Sequence, residues 1–70
     1  MELRMAENFL RRPDVERRTG LARSTLYDKM EDGDFPRPIR LSGRCVAWLE
    51  SEVIAWQEKQ IARRDLGKAA

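Results

Sequence analysis

The stretch Thr19-Gly20-Leu21-Ala22-Arg23-Ser24-Thr25-Leu26-Tyr27 decides how the rest of the chain is read. Gly20 permits a sharp turn through left-handed backbone, which other residues enter only at a cost. A helix opens just after it, near Ala22 or Arg23, and the basic and small polar residues Arg23, Ser24 and Thr25 fall on its first turn. This is the pattern of a helix-turn-helix. A short first helix packs behind, and the N-terminal residues of the second reach base edges and phosphates of DNA.

Working back from the turn, Pro13 fits the first position of a helix, where its missing N–H is no loss. Asp14 and Glu16 favour the positive end of the helix dipole, and Arg17 and Arg18 favour the negative end. The spacing predicts a helix over about Pro13 to Thr19, with Val15 as its apolar anchor and Gly20 as its stop. Before it, Phe9 and Leu10 form a short extended segment that packs on the core, and Arg11 and Arg12 face solvent or phosphate. Arg17 and Arg18 are peripheral in the same way.

Working forward, Leu26 and Met30 are i,i+4 partners on one face of the second helix, with Tyr27 beside them. Gly33 is its expected stop, so the helix covers about residues 23–32. Ala22 lacks the side-chain oxygen that a helix start prefers, a deficit of about 1 kcal/mol against serine. Phe35-Pro36-Arg37-Pro38 is stiff and extended, because each proline restricts itself and its predecessor. Ile39-Arg40-Leu41 alternates apolar and polar, Ser42-Gly43 is a hairpin-turn pair, and Cys45-Val46-Ala47-Trp48 is the return strand. An isolated hairpin is marginal, so this wing, about residues 39–48, packs on the helices through Phe35, Ile39, Leu41, Val46 and Trp48. A last helix follows from about Leu49 to Arg64. Leu49, Val53 and Trp56 form its buried stripe, and Ile54 and Ile61 extend it unevenly.

The chain has 70 residues, enough for one small domain with a modest core. The expected organisation is a flexible leader at 1–8, a winged helix-turn-helix at 9–64 and a frayed tail at 65–70. The fold class is mainly α with a small β-hairpin. A single cysteine, Cys45, excludes an internal disulfide, and with no histidine the chain lacks the residues of a Cys/His zinc site. No metal or cofactor is expected. The acids Glu31, Asp32 and Asp34 cluster around a helix end, with no apolar pocket to tune a catalytic acid, and no glycine-rich phosphate loop is present. No catalytic residue is expected and the chain reads as a non-enzyme. Its apolar runs are far too short to cross a membrane, and Met1-Glu2-Leu3-Arg4 has no apolar signal core. A cytoplasmic setting follows as the expectation.

The net charge is only +2, but it is unevenly placed. Arg17 to Tyr27 holds three arginines and no acid, and Phe35 to Leu49 holds Arg37, Arg40 and Arg44 and no acid. Asp28, Glu31, Asp32 and Asp34 lie between the two. Two basic stretches suit two contacts on a polyanion, with ordinary solvated surface as the bland alternative.

Arg11-Arg12-Pro13-Asp14-Val15, the opening stretch, Gly33-Asp34-Phe35-Pro36-Arg37-Pro38, Ala47-Trp48 and Ser51-Glu52-Val53-Ile54-Ala55-Trp56 together resemble the AlpA family. These are small phage and prophage regulators related to excisionases and to the winged-helix part of the MerR family. The resemblance covers about Phe9 to Arg63. It implies a DNA-binding transcriptional regulator of a mobile element, in a bacterial or phage-infected cell. Two positions depart from the family's pattern: Ala22, where serine is usual, and Asp28, where a basic residue is common. Asp28 either accepts from a cytosine amino group or points away from DNA.

The residues expected at DNA are Arg23, Ser24, Thr25, Tyr27 and Lys29 on the second helix, and Arg37, Arg40, Ser42, Gly43 and Arg44 around the wing. The helix enters the major groove, and the wing lies on the backbone or minor groove. Double-stranded DNA is the expected partner, and an integrase or RNA polymerase is the candidate protein partner. The chain is expected to be a monomer in solution that cooperates on repeated sites. Three functions stay open: a transcription activator or repressor, an architectural excisionase that bends attachment-site DNA for an integrase, and a protein-interaction module that never binds DNA.

Overall fold

The structure is a computed structural model that describes residues 7–69. Its elements run β1 (Phe9–Leu10), α1 (Arg12–Thr19), α2 (Arg23–Glu31), β2 (Ile39–Ser42), β3 (Cys45–Leu49) and α3 (Glu50–Ala69). The strands form one antiparallel sheet in the order β1-β3-β2. Three helices around a small sheet make this a mainly α winged helix-turn-helix, the expected class.

The turn between α1 and α2 is built by local chemistry. Gly20 ends α1 at φ +76° and donates its N–H to Glu16 O over 2.8 Å. A Cβ there would meet nothing within 4 Å, so what the position demands is the backbone conformation, not space. The Thr19 hydroxyl donates to Val15 O at 2.8 Å and accepts from the Leu21 N–H at 3.3 Å. Ala22 then stands as the residue before α2, extended at φ −74° and ψ 162°, with no side-chain cap.

At the far end of α2, the N–H groups of Asp34 and Phe35 both donate to Lys29 O, at 2.8 and 3.2 Å. Gly33, at φ +78°, reverses the chain there. The proline segment then carries Phe35 into the core. Trp48, fully buried on β3, donates its indole N–H to Pro36 O at 3.0 Å. The wing is thereby fastened to the exit of α2.

The core is Leu10, Val15, Leu26, Met30, Phe35, Trp48 and Val53, with Leu21, Tyr27, Val46 and Trp56 packed against it. Each such burial contributes about 1.5–3 kcal/mol, set against a comparable ordering cost. Trp56 meets Phe35 edge-on, with ring centroids 5.1 Å apart.

Several expectations are corrected. The hairpin turn is Gly43-Arg44, one residue later than Ser42-Gly43, because Ser42 pairs with Cys45 across an irregularity between Arg40 and Ser42. Ile39 and Leu41 are exposed, since β2 is an edge strand with no layer over it. Leu49 closes β3 opposite Phe9 and does not begin the last helix. Ile54 and Ile61 are exposed because the sheet covers only the Val53 side of α3. That helix continues to Ala69, five residues past the expected end at Arg64. α1 begins one residue early, at Arg12.

The expected leader lies outside the described residues up to residue 6. Glu7 and Asn8 are engaged: the Ser51 hydroxyl donates to Glu7, and the Asn8 amide donates to Glu50 Oε1 at 2.6 Å. The Glu50 N–H returns a bond to Asn8 O.

Candidate nucleic-acid interface

α2 presents its first turn bare. Arg23, Ser24 and Thr25 are exposed, while Leu26 and Met30 on the opposite face are buried. Neither the Ser24 nor the Thr25 hydroxyl makes a hydrogen bond among the described residues, so both are available to a ligand. The N–H groups of Arg23, Ser24 and Thr25 precede the first intrahelical bond, from Leu26 N–H to Ala22 O, and a helix start of this kind is a favourable end for an anion.

Arg23 leans along the helix, its guanidinium carbon 5.9 Å from the Tyr27 ring centroid. Tyr27 is half-buried: its ring packs on the core and its edge is open. Both residues face a depression that they share with Arg11, Arg12, Pro13, Arg44 and Val46. Three separate segments of sequence meet there: the start of α1, the first turns of α2 and the wing turn.

The wing carries Arg40 on β2 and Arg44 in the turn, both exposed, with Ser42 and Gly43 exposed between them. Arg40 pairs with Val46 in the strand register. These four residues lie along one hairpin, and Arg44 alone among them reaches the depression with Arg23.

Lys29 and Arg37 stand apart, at the C-terminal end of α2. Lys29 Nζ is 3.4 Å from Asp34 Oδ2, and Arg37 donates to Met30 O at 3.4 Å, where it caps the last turn. Asp34 also meets Arg63 of α3 at 3.5 Å. Partial desolvation pushes the Asp34 carboxyl up, but the Lys29 and Arg63 cations outweigh this and hold it below its ordinary value of 3.8. Arg18 is likewise occupied, 2.7 Å from Glu50. The hydrogen bond from Asn8, followed by that from Arg18, holds the Glu50 carboxyl below its ordinary 4.5. Asp28 is exposed and makes no side-chain hydrogen bond among the described residues.

Sequence spacing points to Arg23 and Arg44 but places Arg11 and Arg12 at the periphery. The available signal was their position immediately before Pro13, which fixes them at a helix start. Among the described residues no group of three or more Cys, Asp or Glu side chains is placed to hold a metal ion, and no helix is long and apolar enough to cross a membrane.

Known proteins resemble this chain. The family model described as prophage CP4-57 regulatory protein (AlpA) matches residues 8–61. The "Uncharacterized protein ORF88" of Enterobacteria phage P4 is 49% identical over 61 residues, covering 87% of this chain and 69% of that protein. The "DNA-binding transcriptional activator AlpA" of Escherichia coli (strain K12) is 37% identical over 62 residues, covering 80% of this chain and 89% of that protein. The matched span runs from just before β1 into α3, and so takes in the turn, both of its helices and the wing: the chain belongs to the AlpA family of prophage regulatory proteins.

Proposed function

We propose that this chain is a DNA-binding transcriptional regulator of phage or prophage origin. The observation that carries the reading is the bare first turn of α2, where Arg23, Ser24 and Thr25 stand exposed beside a wing bearing Arg40 and Arg44. Membership of the AlpA family supports it, as does the likeness to a relative named as a DNA-binding transcriptional activator. α2 enters the major groove by its N-terminal end, and the hairpin lies along the neighbouring backbone or minor groove. Arg37 and Lys29 contribute charge at the rim rather than at the centre of the contact.

The test is a footprint on DNA flanking the gene for this chain in its own genome. Protection inside a promoter is the expected result. Protection of repeats within an attachment site instead identifies an architectural factor for an integrase, acting through the same surface. If no DNA is protected or shifted at any concentration short of non-specific aggregation, the DNA-binding reading is wrong.

A further inference from the structure

Four arginines converge although up to 33 positions of sequence, from Arg11 to Arg44, separate them. Arg11 and Arg12 come from the start of α1, Arg23 from the first turn of α2 and Arg44 from the wing turn. With Pro13, Tyr27 and Val46 they line a single depression of about 430 Å³, and no acidic side chain lines it. Arg12 is held by Glu16, Nε to Oε2 at 3.1 Å. Among the described residues Arg11, Arg23 and Arg44 have no salt bridge and no side-chain hydrogen bond. Like charges drawn into one concavity repel each other, and a concave cationic surface concentrates the field on whatever anion enters it. A guanidinium offers a planar fork that matches phosphate oxygens two at a time.

We propose that this depression is a phosphate clamp, in which one phosphodiester of the DNA backbone sits among Arg11, Arg23 and Arg44, with Arg12 fixed beside it by Glu16. The proposal rests on the DNA-binding reading above and deepens it. It brings Arg11 and Arg12 into the interface. It also moves Arg23 from base reading to backbone positioning: the side chain leans over Tyr27 into the depression, whereas Ser24 and Thr25 do not line it. A phosphate held there touches α1, α2 and the wing together, and so sets how deeply α2 enters the groove. Backbone contacts of this kind fix register and leave base discrimination to others, here Ser24 and Thr25.

The experiment is a double-mutant cycle on Arg11 and Arg44, read by fluorescence anisotropy on a short labelled duplex of mixed sequence. Wild type, Arg11→Gln, Arg44→Gln and the double variant are compared, with thermal melts to establish that each is folded. Should a glutamine variant fail to fold, the lysine variant, which keeps the charge and loses the fork, takes its place in the cycle. Each single variant is expected to bind about tenfold more weakly, and to lower the log–log salt slope by about 1. Because both arginines serve one phosphate, the double variant is expected to lose at least about threefold less than the product of the singles, with little further change in slope. Full multiplication of the effects, with slope losses that add, means separate phosphates and overturns the clamp while leaving DNA binding intact. Single variants that bind as wild type overturn it equally. Failure of the wild type to bind the duplex at low salt counts against the DNA-binding reading itself, and the clamp falls with it.

Discussion

The indole N–H of Trp48 donates to the carbonyl of Pro36 across 3.0 Å, joining the central strand of the sheet to the segment that leaves α2. Trp48 has no exposed surface, and its ring fills the space between Leu10, Leu26 and the rest of the core. Trp48→Phe keeps an aromatic ring there but leaves the Pro36 carbonyl without this donor and opens a small void. The expected cost is about 2 kcal/mol, or a fall in Tm of roughly 8–16 °C for a domain of this size. A thermal melt followed by circular dichroism measures it. A variant as stable as the parent means that the bond holds nothing together.

Ala22 offers the opposite change. Its backbone is already extended, as a helix-capping residue requires, and its side chain is exposed. Ala22→Ser supplies an oxygen for the N–H of Ser24 or Thr25 and is expected to add about 1 kcal/mol. Tm should rise by about 4–8 °C. An unchanged or lower Tm rules out the cap.

Acid should loosen the contacts that seat α3. The carboxyls of Asp34 and Glu50 both titrate below their ordinary values of 3.8 and 4.5 in the folded chain. A carboxyl with a lowered folded value contributes stability that is present above its ordinary value and is lost as pH falls through the folded value. Urea midpoints measured from neutral pH downward should therefore hold steady until the mid-4 range set by Glu50 and fall below it. In Asp34→Asn and Glu50→Gln together, the acid limb should flatten. An acid limb as steep as that of the parent would place its cause in other carboxylates.

Ser24 and Thr25 should control which sequence is chosen, and Arg40 how tightly any sequence is held. After selection of a preferred site from a random pool, Ser24→Ala and Thr25→Ala should change the selected bases. Arg40→Ala should weaken preferred and random duplexes alike. With about six basic groups on phosphates, affinity of the parent should fall with salt at a log–log slope of about −5. A flat salt response would contradict the two-point contact, and a changed preference in Arg40→Ala would reverse the assigned roles.

The parts legible in the sequence are those that local chemistry decides. Pro13, Gly20 and Gly33 act on their own backbone and on near neighbours, so the two helices of the turn emerged with bounds within a residue or so. Leu49 went astray because its spacing to Val53 and Trp56 suits a helix as well as a strand end. What decides it is the pairing with Phe9, a contact between distant positions. The hairpin turn slipped by one residue because Ser-Gly and Gly-Arg both satisfy a two-residue turn, and the irregularity beside Leu41 selects the second. Ile54 and Ile61 fit an apolar stripe by number alone, yet a helix buries only what a neighbour covers. Among candidate site residues, those on the first turn of α2 were readable from one helix. The gathering of Arg11, Arg12, Arg23 and Arg44 was not, because it depends on how α1, α2 and the wing turn pack.

The pairing of β1 with β3 bears on how the molecule is made. Asn8 and Glu50, whose side chains and backbones bond to one another, are 42 positions apart. A chain emerging from the ribosome presents β1, α1 and α2 long before the strand that covers Leu10 and the indole that anchors the wing. Until Leu49 has cleared the exit tunnel, the helix-turn-helix has no roof, because β1 pairs only with β3, and such long-range pairing carries a loop-closure cost. The segment proposed to meet DNA is therefore synthesised before the strand that completes its support.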